Sequence, residues 1–378
     1  MQIKLSTGGI TMNIICNKSS LIKGVGTVIR AVSQKTTMPI LQCILLNAEG
    51  DVFSLTGNDL ELGVYCTAEA VVKKEGKVAV NAKIFSEIIR RLPEEEVIID
   101  SDDQDNITIQ SGKSKFNIPG QKGSDFPLLP EVKSENQMVL PQNEFRQMIQ
   151  KTIFSIAQED SGRPVLTGEL VDVRDGYLYL VAVDGFRISM QRTEISGDKT
   201  FKMTVPGKTL NELNKILSSE EDDLMTVTFT GRHILFKMDS TILVSRLLEG
   251  EFLNYERNLN MSFTTRAYVN KRELLDSIDR AALISKEGKN SPVRFDIRQD
   301  KIIITSNTEA GSAYEEVPIR LEGEGMITAF NPKYYMDALR AIDDDTVCIL
   351  YSSSLSPCII QGSQTENYKY FILPIRLN

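Results

Sequence analysis

The stretch SSLIKGVGTVIRAV, residues 19–32, returns twice in altered form, as PQNEFRQMIQKTIF from Pro141 and as NKRELLDSIDRAAL from Asn270. In the first copy Leu21, Ile22, Val25, Val28, Ile29 and Val32 fall at i, i+1, i+4, i+7, i+8 and i+11, which predicts a helix packed by one face on a core. Strands rich in β-branched and aromatic residues follow in each copy: GDVFSLTGNDLELGVY from Gly50, GYLYLVAVDGFRISM from Gly176 and DKIIITSNTEAGSAYEEV from Asp300. A second helix is expected next, in NAKIFSEIIRRL from Asn81, PGKTLNELNKIL from Pro206 and NPKYYMDALRAI from Asn331, each opened by an Asn or a Pro-Gly entry. An acidic cluster closes each second helix, at Glu94 to Glu96, Glu220 to Asp223 and Asp343 to Asp345, before further strands.

The chain therefore reads as three copies of a two-helix, antiparallel-strand unit, an α+β architecture. The expected domains are 1–134, 135–261 and 262–378, with residues 1–11 a possible extension before an alternative start at Met12. YKYFILPIRLN at the end corresponds to KSKFNIPG in the first copy and STILVSRLLEG in the second.

Composition narrows the function. No signal-peptide h-region and no apolar run of about 18 residues is present, so an intracellular, cytoplasmic protein is expected. Cys16, Cys43, Cys66, Cys348 and Cys358 are scattered without a C-x-x-C pair and read as small buried hydrophobes, with no metal and no cofactor expected. With 51 acidic against 43 basic residues, the formal charge of -8 excludes a generally basic nucleic-acid binder. Any DNA contact must come from a segregated surface.

Such a surface is written on the helices. Lys23 with Arg30, Lys83 with Arg90, Lys208 with Lys215 and Lys333 with Arg340 each stand seven apart, two turns along one face. Arg146 and Lys151, and Lys271, Arg272 and Arg280, make the other two helices basic, although Glu87, Glu144, Glu212, Asp276, Asp279 and Asp337 dilute the charge. On any one helix these would be solvated outer-face residues; six helices together predict a DNA-facing surface. Twelve such helices at ~9 Å spacing, from two chains, would line a ring ~35 Å across at the axes. Side chains would leave roughly 25 Å, room for a duplex held by phosphate contacts without sequence information.

TMPIL (Thr37 to Leu41), LTGNDLE (Leu55 to Glu61), VDGFR (Val183 to Arg187), EGEFLNY (Glu249 to Tyr255) and LPIRL (Leu373 to Leu377), in this order on a triplicated chain, closely resemble the bacterial beta sliding clamps of DNA polymerase III. The resemblance covers Met12 to the C-terminus. It implies a head-to-tail dimeric ring of three similar domains that encircles double-stranded DNA, is opened by a clamp loader, and tethers the replicative polymerase and repair proteins through short linear motifs. It implies a partner-peptide pocket walled by Leu166, Val183, Gly185, Phe186, Arg187, Ile188, Leu253, Arg257, Asn331, Tyr334, Pro357, Phe371, Ile372, Leu373, Pro374, Ile375 and Arg376, with Arg187 and Arg376 framing it. Lys115, Phe116 and Ile118 of one chain would meet Leu283 and Ile284 of the other. Leu253 stands where the family often has proline, Phe186 where histidine is common, and Asn378 extends past the usual terminal leucine.

Two rival classes compete. An enzyme could be built on the adjacent acids Asp102 and Asp103 or on Asp184, but neighbouring carboxylates on a strand face opposite ways and Asp-Gly is a turn signal. His233, the only histidine, reads as a strand-end residue, so no catalytic residue is expected. A repeated carbohydrate-binding protein would be expected to carry tryptophan, and this chain has none.

Overall fold

The computed structural model describes residues 11–133, 136–159, 162–197, 200–259, 261–285 and 292–376. The boundary near Ser134, most of the possible extension, and Leu377 with Asn378 lie outside the described residues. Each copy opens with a strand, Met12–Asn17, Gln137–Pro141 or Thr265–Asn270, which runs into its first helix, Lys18–Val28, Gln142–Thr152 or Lys271–Ser285; its second helix follows at Ala82–Arg91, Gly207–Asn214 or Pro332–Ala341. The Asn entries work as expected, since Asn81 Oδ1 accepts from Ile84 N–H at 3.1 Å and Asn331 Oδ1 from Lys333 N–H at 3.0 Å. At the Pro-Gly entry the glycine is required by space: a Cβ on Gly207 would lie 2.3 Å from Ile156 and 2.8 Å from the Thr167 carbonyl.

The acidic clusters acquire a role. The first helical N–H of each copy donates to a carbonyl of its own cluster: Lys18 to Glu95 at 2.7 Å, Gln142 to Asp223 at 2.8 Å and Lys271 to Asp345 at 2.9 Å. An orphan donor is satisfied, and negative charge is gathered near the positive end of the helix. The same residues reach on to the end of the second helix. Lys18 Nζ donates to Leu92 O at 2.7 Å and Lys271 Nζ to Ile342 O at 2.8 Å. Gln142 takes the equivalent place, donating to Leu224 O at 3.0 Å and accepting from Ser218 N–H at 3.0 Å.

The chain divides into two compact units, residues 1–143 with 215–247, and residues 144–214 with 248–378. The second copy is thus shared between them, because strands pair between copies as strongly as within them. In the first unit a five-stranded antiparallel sheet ends at the edge strand Ser114–Ile118. A nine-stranded sheet joins Leu62–Ala68 of the first copy to Thr241–Arg246 of the second, in register from Leu62↔Ser245 to Cys66↔Thr241. In the second unit a twelve-stranded antiparallel sheet joins Arg187–Glu194 of the second copy to Tyr368–Ile372 of the third, from Arg187↔Ile372 to Gln191↔Tyr368.

One acid is buried under a helix of the second unit. Glu169, on strand Gly168–Arg174, is fully buried, and burial pushes its carboxyl well above the usual range. Thr152 Oγ1 lies 2.9 Å from Glu169 Oε2 and 2.8 Å from Met148 O. A hydroxyl has one proton to give, so a protonated Glu169 donating to Thr152, which donates onward, satisfies both contacts. The raised folded-state value means that this site favours folding fully below about pH 4.5, the unfolded carboxyl value, and loses that contribution as pH rises toward the folded value. Glu169→Gln is therefore expected to raise the melting temperature at pH 8 more than at pH 5, read by thermal melts across that range.

Candidate functional site

The turn Asp184-Gly185-Phe186-Arg187 builds one wall of a groove. Asp184 Oδ1 accepts from the N–H groups of Phe186 at 2.9 Å and Arg187 at 3.0 Å, and Gly185 takes φ +91°, where a Cβ would be strained. The turn presents Phe186, 60% exposed, stacked at 6.3 Å on Tyr334 from the first turn of helix Pro332–Ala341. The chain's end runs past this turn, with Leu373 N–H donating to Phe186 O at 2.9 Å and Ile375 N–H to Ala329 O at 2.8 Å. Pro374, which has no N–H, falls at the position between. The end of the chain is therefore tied down at alternate residues, and Leu373 remains 43% exposed. Beneath lie Leu166, Val183, Ile188 and Phe371, buried in one apolar cluster with Phe252 packed against it.

The structure thus brings Leu166, Val183, Ile188 and Phe371 together, and joins Gly185, Phe186, Arg187, Tyr334, Leu373 and Pro374 around them. Ile372 belongs instead to the core of the third copy, and Asn331 spends its side chain capping a helix. Leu253, Arg257 and Arg376 are exposed, and Pro357 and Ile375 are half-buried.

Arg187 departs from its expected role on the rim. It is 6% exposed, with Nε donating to Asp184 at 3.0 Å, Nη1 to Asp337 at 2.7 Å and Nη2 to the Phe154 carbonyl at 2.6 Å. Its guanidinium lies 4.4 Å from the Tyr334 ring centre and 5.4 Å from that of Phe154. It is a buried brace between the second and third copies, and Asp337 and Phe154 are partners that sequence reasoning missed. Asp337 stands three residues from Tyr334 on the same helix, a spacing that could have paired it with the groove.

The basic helix residues divide. Lys23, Lys83, Arg90, Lys208, Lys215, Arg272, Lys333 and Arg340 are exposed, while Arg30 and Arg146 are half-buried. Arg30 sits in a 3-10 turn and Lys215 just beyond its helix, so those two seven-residue pairs outrun the helices that carry them. Several expected DNA-facing residues hold internal partners, among them Arg272, which pairs with Asp276 at 3.9 Å. Lys151 pairs with Asp343 at 2.5 Å over the Tyr368 ring, Lys271 closes a helix end, and Arg280 pairs with Glu315 at 2.5 Å. Lys115, Phe116 and Ile118 lie on the edge strand Ser114–Ile118, with Phe116 38% exposed; Leu283, on helix Lys271–Ser285, is 59% exposed, and Ile284 is half-buried.

The acids proposed for rival chemistry are turn residues. Asp102 Oδ1 accepts from Gln104 and Asn106 N–H groups at 2.9 and 2.8 Å, so Asp102 and Asp103 lie in a turn rather than on a strand. His233 opens strand His233–Met238. Burial pushes the thiols of Cys16, Cys66 and Cys358 up to about 12, leaving them without reactive thiolate. Among the described residues no group of three or more His, Cys, Asp or Glu could hold a metal, and no helix is long and apolar enough to cross a membrane.

Three copies of helices packed on antiparallel strands, with exposed cations on the helices and exposed Phe186 and Leu373 over an apolar cluster, have the make-up of a binding scaffold. Family models for the N-terminal, central and C-terminal domains of the DNA polymerase III beta subunit match residues 12–130, 139–254 and 258–376. The beta sliding clamps of Halalkalibacterium halodurans and Bacillus subtilis are each 31% identical over 97% of this chain and 100% of their own. Among solved structures, a putative DNA polymerase III beta subunit from Eubacterium rectale is 39% identical with TM-score 0.92, covering 96% of this chain and 99% of its own. The Bacillus subtilis sliding clamp gives 30% and 0.93 over 97% and 100%. That of Pseudomonas aeruginosa, solved bound to griselimycin, gives 27% and 0.91 over 97% and 100%.

The chain belongs to the DNA polymerase III beta subunit family, the bacterial sliding clamps. Its role is that of a processivity clamp in DNA replication, with DNA and a polymerase as partners and no catalysis of its own.

The brace at Arg187 is open to direct measurement. Arg187→Met leaves Asp184 and Asp337 facing each other without a cation, and is expected to cost about 3 kcal/mol in denaturant unfolding, the lower end for breaking a buried pair.

Proposed function

We propose that two copies of this chain close head to tail around duplex DNA in the cytoplasm, and that the groove beside Arg187 takes short peptide motifs from the polymerase, the clamp loader and repair proteins. The reading divides the chain into clamp domains at 1–134, 135–261 and 262–378. The observation that carries ring closure is the pattern of strand joints. Leu62–Ala68 pairs with the last strand of the second copy, and Arg187–Glu194 with the last strand of the third. The corresponding strand of the third copy, Gly311–Glu322, has a single ladder partner along residues 311–318 among the described residues. The strand of the first copy that corresponds to those last strands, Ser114–Ile118, also has one edge unpaired among the described residues. An unpaired strand at each place in one chain complements the other in a second chain, a heterologous joint that closes after two copies.

This extends the sequence expectation, which placed Lys115, Phe116 and Ile118 against Leu283 and Ile284 alone. Phe116 and Leu283, both exposed, would supply apolar area. Replacing Leu283 and Ile284 together by Asp is expected to give monomers at low micromolar concentration in sedimentation; a dimer would place the joint elsewhere.

Phosphate contact would fall to the exposed Lys23, Lys83, Arg90, Lys208, Lys215, Arg272, Lys333 and Arg340, long flexible cations that hold without reading sequence. Protein loaded on nicked circular DNA is expected to stay, and to run off when the circle is cut. Charge reversal at Lys23, Lys83, Lys208 and Lys333 should weaken loading and retention without altering the melt.

In the groove, the exposed Phe186, Leu253 and Leu373 over the buried Leu166, Val183 and Ile188 supply apolar anchors for a peptide. Removing residues 373–378 is expected to abolish binding of a fluorescent glutamine-leucine-x-leucine-phenylalanine peptide while leaving the dimer intact.

A further inference from the structure

The motif EGEFLNY carries one residue unlike its surroundings. Residues 249–257 cross from the second copy toward the third, and nearly all are exposed or half-buried, yet Tyr255 is 2% exposed. Its ring joins the apolar cluster that holds Leu166, Val183, Ile188 and Phe371. Its hydroxyl donates to Asp172 Oδ2 at 2.8 Å. Asp172 is fully buried on strand Gly168–Arg174, and the same oxygen receives Arg174 Nε at 3.2 Å and Lys202 Nζ at 3.3 Å. Arg174 lies 4.5 Å from the Tyr179 ring centre and 3.3 Å from the Tyr255 hydroxyl. Glu256, next to Tyr255, takes Lys202 at 2.7 Å. Burial holds the Tyr255 hydroxyl above its ordinary pKa, so it remains a donor.

The first copy provides an internal comparison. By ladder register, Asn47 opposite Lys77 stands where Asp172 is opposite Lys202, and Glu49 stands where the second copy has Arg174. The counterpart of Tyr255, in the segment DFPLLP, is Leu129, which packs against Gly63 without a hydroxyl. Of the two internal joints, the one beside the groove therefore has the buried carboxylate with the tyrosine hydroxyl, and the other, among the described residues, has neither.

We propose that the Asp172–Tyr255 bond, set in its cage of Arg174, Lys202 and Glu256, is a latch that positions residues 249–255 as a wall of the peptide groove. Tyr255 and Asp172 are positioning residues that act through Leu253 and Phe252 without touching the peptide. Phe252 packs on the cluster beneath the groove, and Leu253, 41% exposed, is two residues from the anchor. With the latch made, the wall is ordered before the peptide arrives, so less ordering cost is met on binding. The inference rests on the groove reading above.

The test uses full-length protein and the fluorescent glutamine-leucine-x-leucine-phenylalanine peptide. Tyr255→Phe keeps the ring and removes only the hydroxyl, and Asp172→Asn keeps an acceptor but removes the charge. Each is expected to weaken the peptide about tenfold, mainly through faster dissociation; Tyr255→Phe should change the melting temperature little, whereas Asp172→Asn, which also loosens the pairs with Arg174 and Lys202, should lower it. Combining them should weaken the peptide by less than the product of the two losses, because both act on the Asp172–Tyr255 bond while Asp172 also holds Arg174 and Lys202. Wild-type dissociation in Tyr255→Phe, or losses that simply multiply in the double variant, would overturn the latch. Leu166→Asp separates the two ideas: if it abolishes binding while Tyr255→Phe does not, the groove stands and the latch falls. If Leu166→Asp also binds normally, the groove reading itself fails and takes the latch with it.

Discussion

Every copy in this chain contains a strand with one edge that its own copy cannot satisfy. Backbone N–H and C=O groups left open cost free energy when buried and invite pairing when exposed, so each such edge demands a strand from elsewhere. Three copies in a row meet that demand twice, at Leu62–Ala68 with Thr241–Arg246 and at Arg187–Glu194 with Tyr368–Ile372. The third demand, along residues 311–318, is not met within the described residues, and neither is that of Ser114–Ile118. The long sheets, the sharing of the second copy between two compact units and the proposed closure by a second chain all follow from this one shortage.

The two internal joints are built alike but do not offer the same surface. Asp59 and Asp184 cap equivalent turns, each accepting the N–H groups two and three residues on. At the first joint Gly63 leaves space, and Leu129 fills it so closely that a Cβ on Gly63 would meet Leu129 at 2.2 Å. The linker of the first joint thus occupies its own recess. At the second joint Ile188 takes the place of Gly63, and the crossing segment is pinned through Tyr255 and Asp172, leaving Leu253 exposed. One repeated design gives a plugged joint and an open one, and the difference lies in a few side chains.

Much of this was legible in the sequence because periodicity reports the core directly. Helix positions, the Asn caps and the corresponding last strands follow from apolar spacing and turn chemistry. The acidic clusters were visible as punctuation, but their role is carried by backbone carbonyls of Glu95, Asp223 and Asp345, which side-chain identity does not disclose. The partners of Arg187, Lys151, Lys271 and Arg280 were not legible for a related reason. A cation's position on a helix face or beside a turn says nothing of a long-range partner such as Asp337, Asp343, the Ile342 carbonyl or Glu315.

That reassignment bears on how a chain of net charge -8 would hold DNA and still slide. Lys151, mostly buried against Asp343, and Lys271, bonded to a helix end, are held in place, whereas Lys and Arg side chains at exposed positions sit on long, flexible stems. Contacts of that kind exchange with counterions and depend on charge density rather than geometry, so each is weak and none marks a fixed register. A strong, directional pair like that of Arg187 with Asp337 would oppose motion along a duplex; here it braces the turn that carries Phe186 against the helix that carries Tyr334. Buried charges such as Arg187 and Asp337 brace the joint of the second and third copies, while exposed Lys and Arg side chains carry the charge that the proposed DNA contact needs.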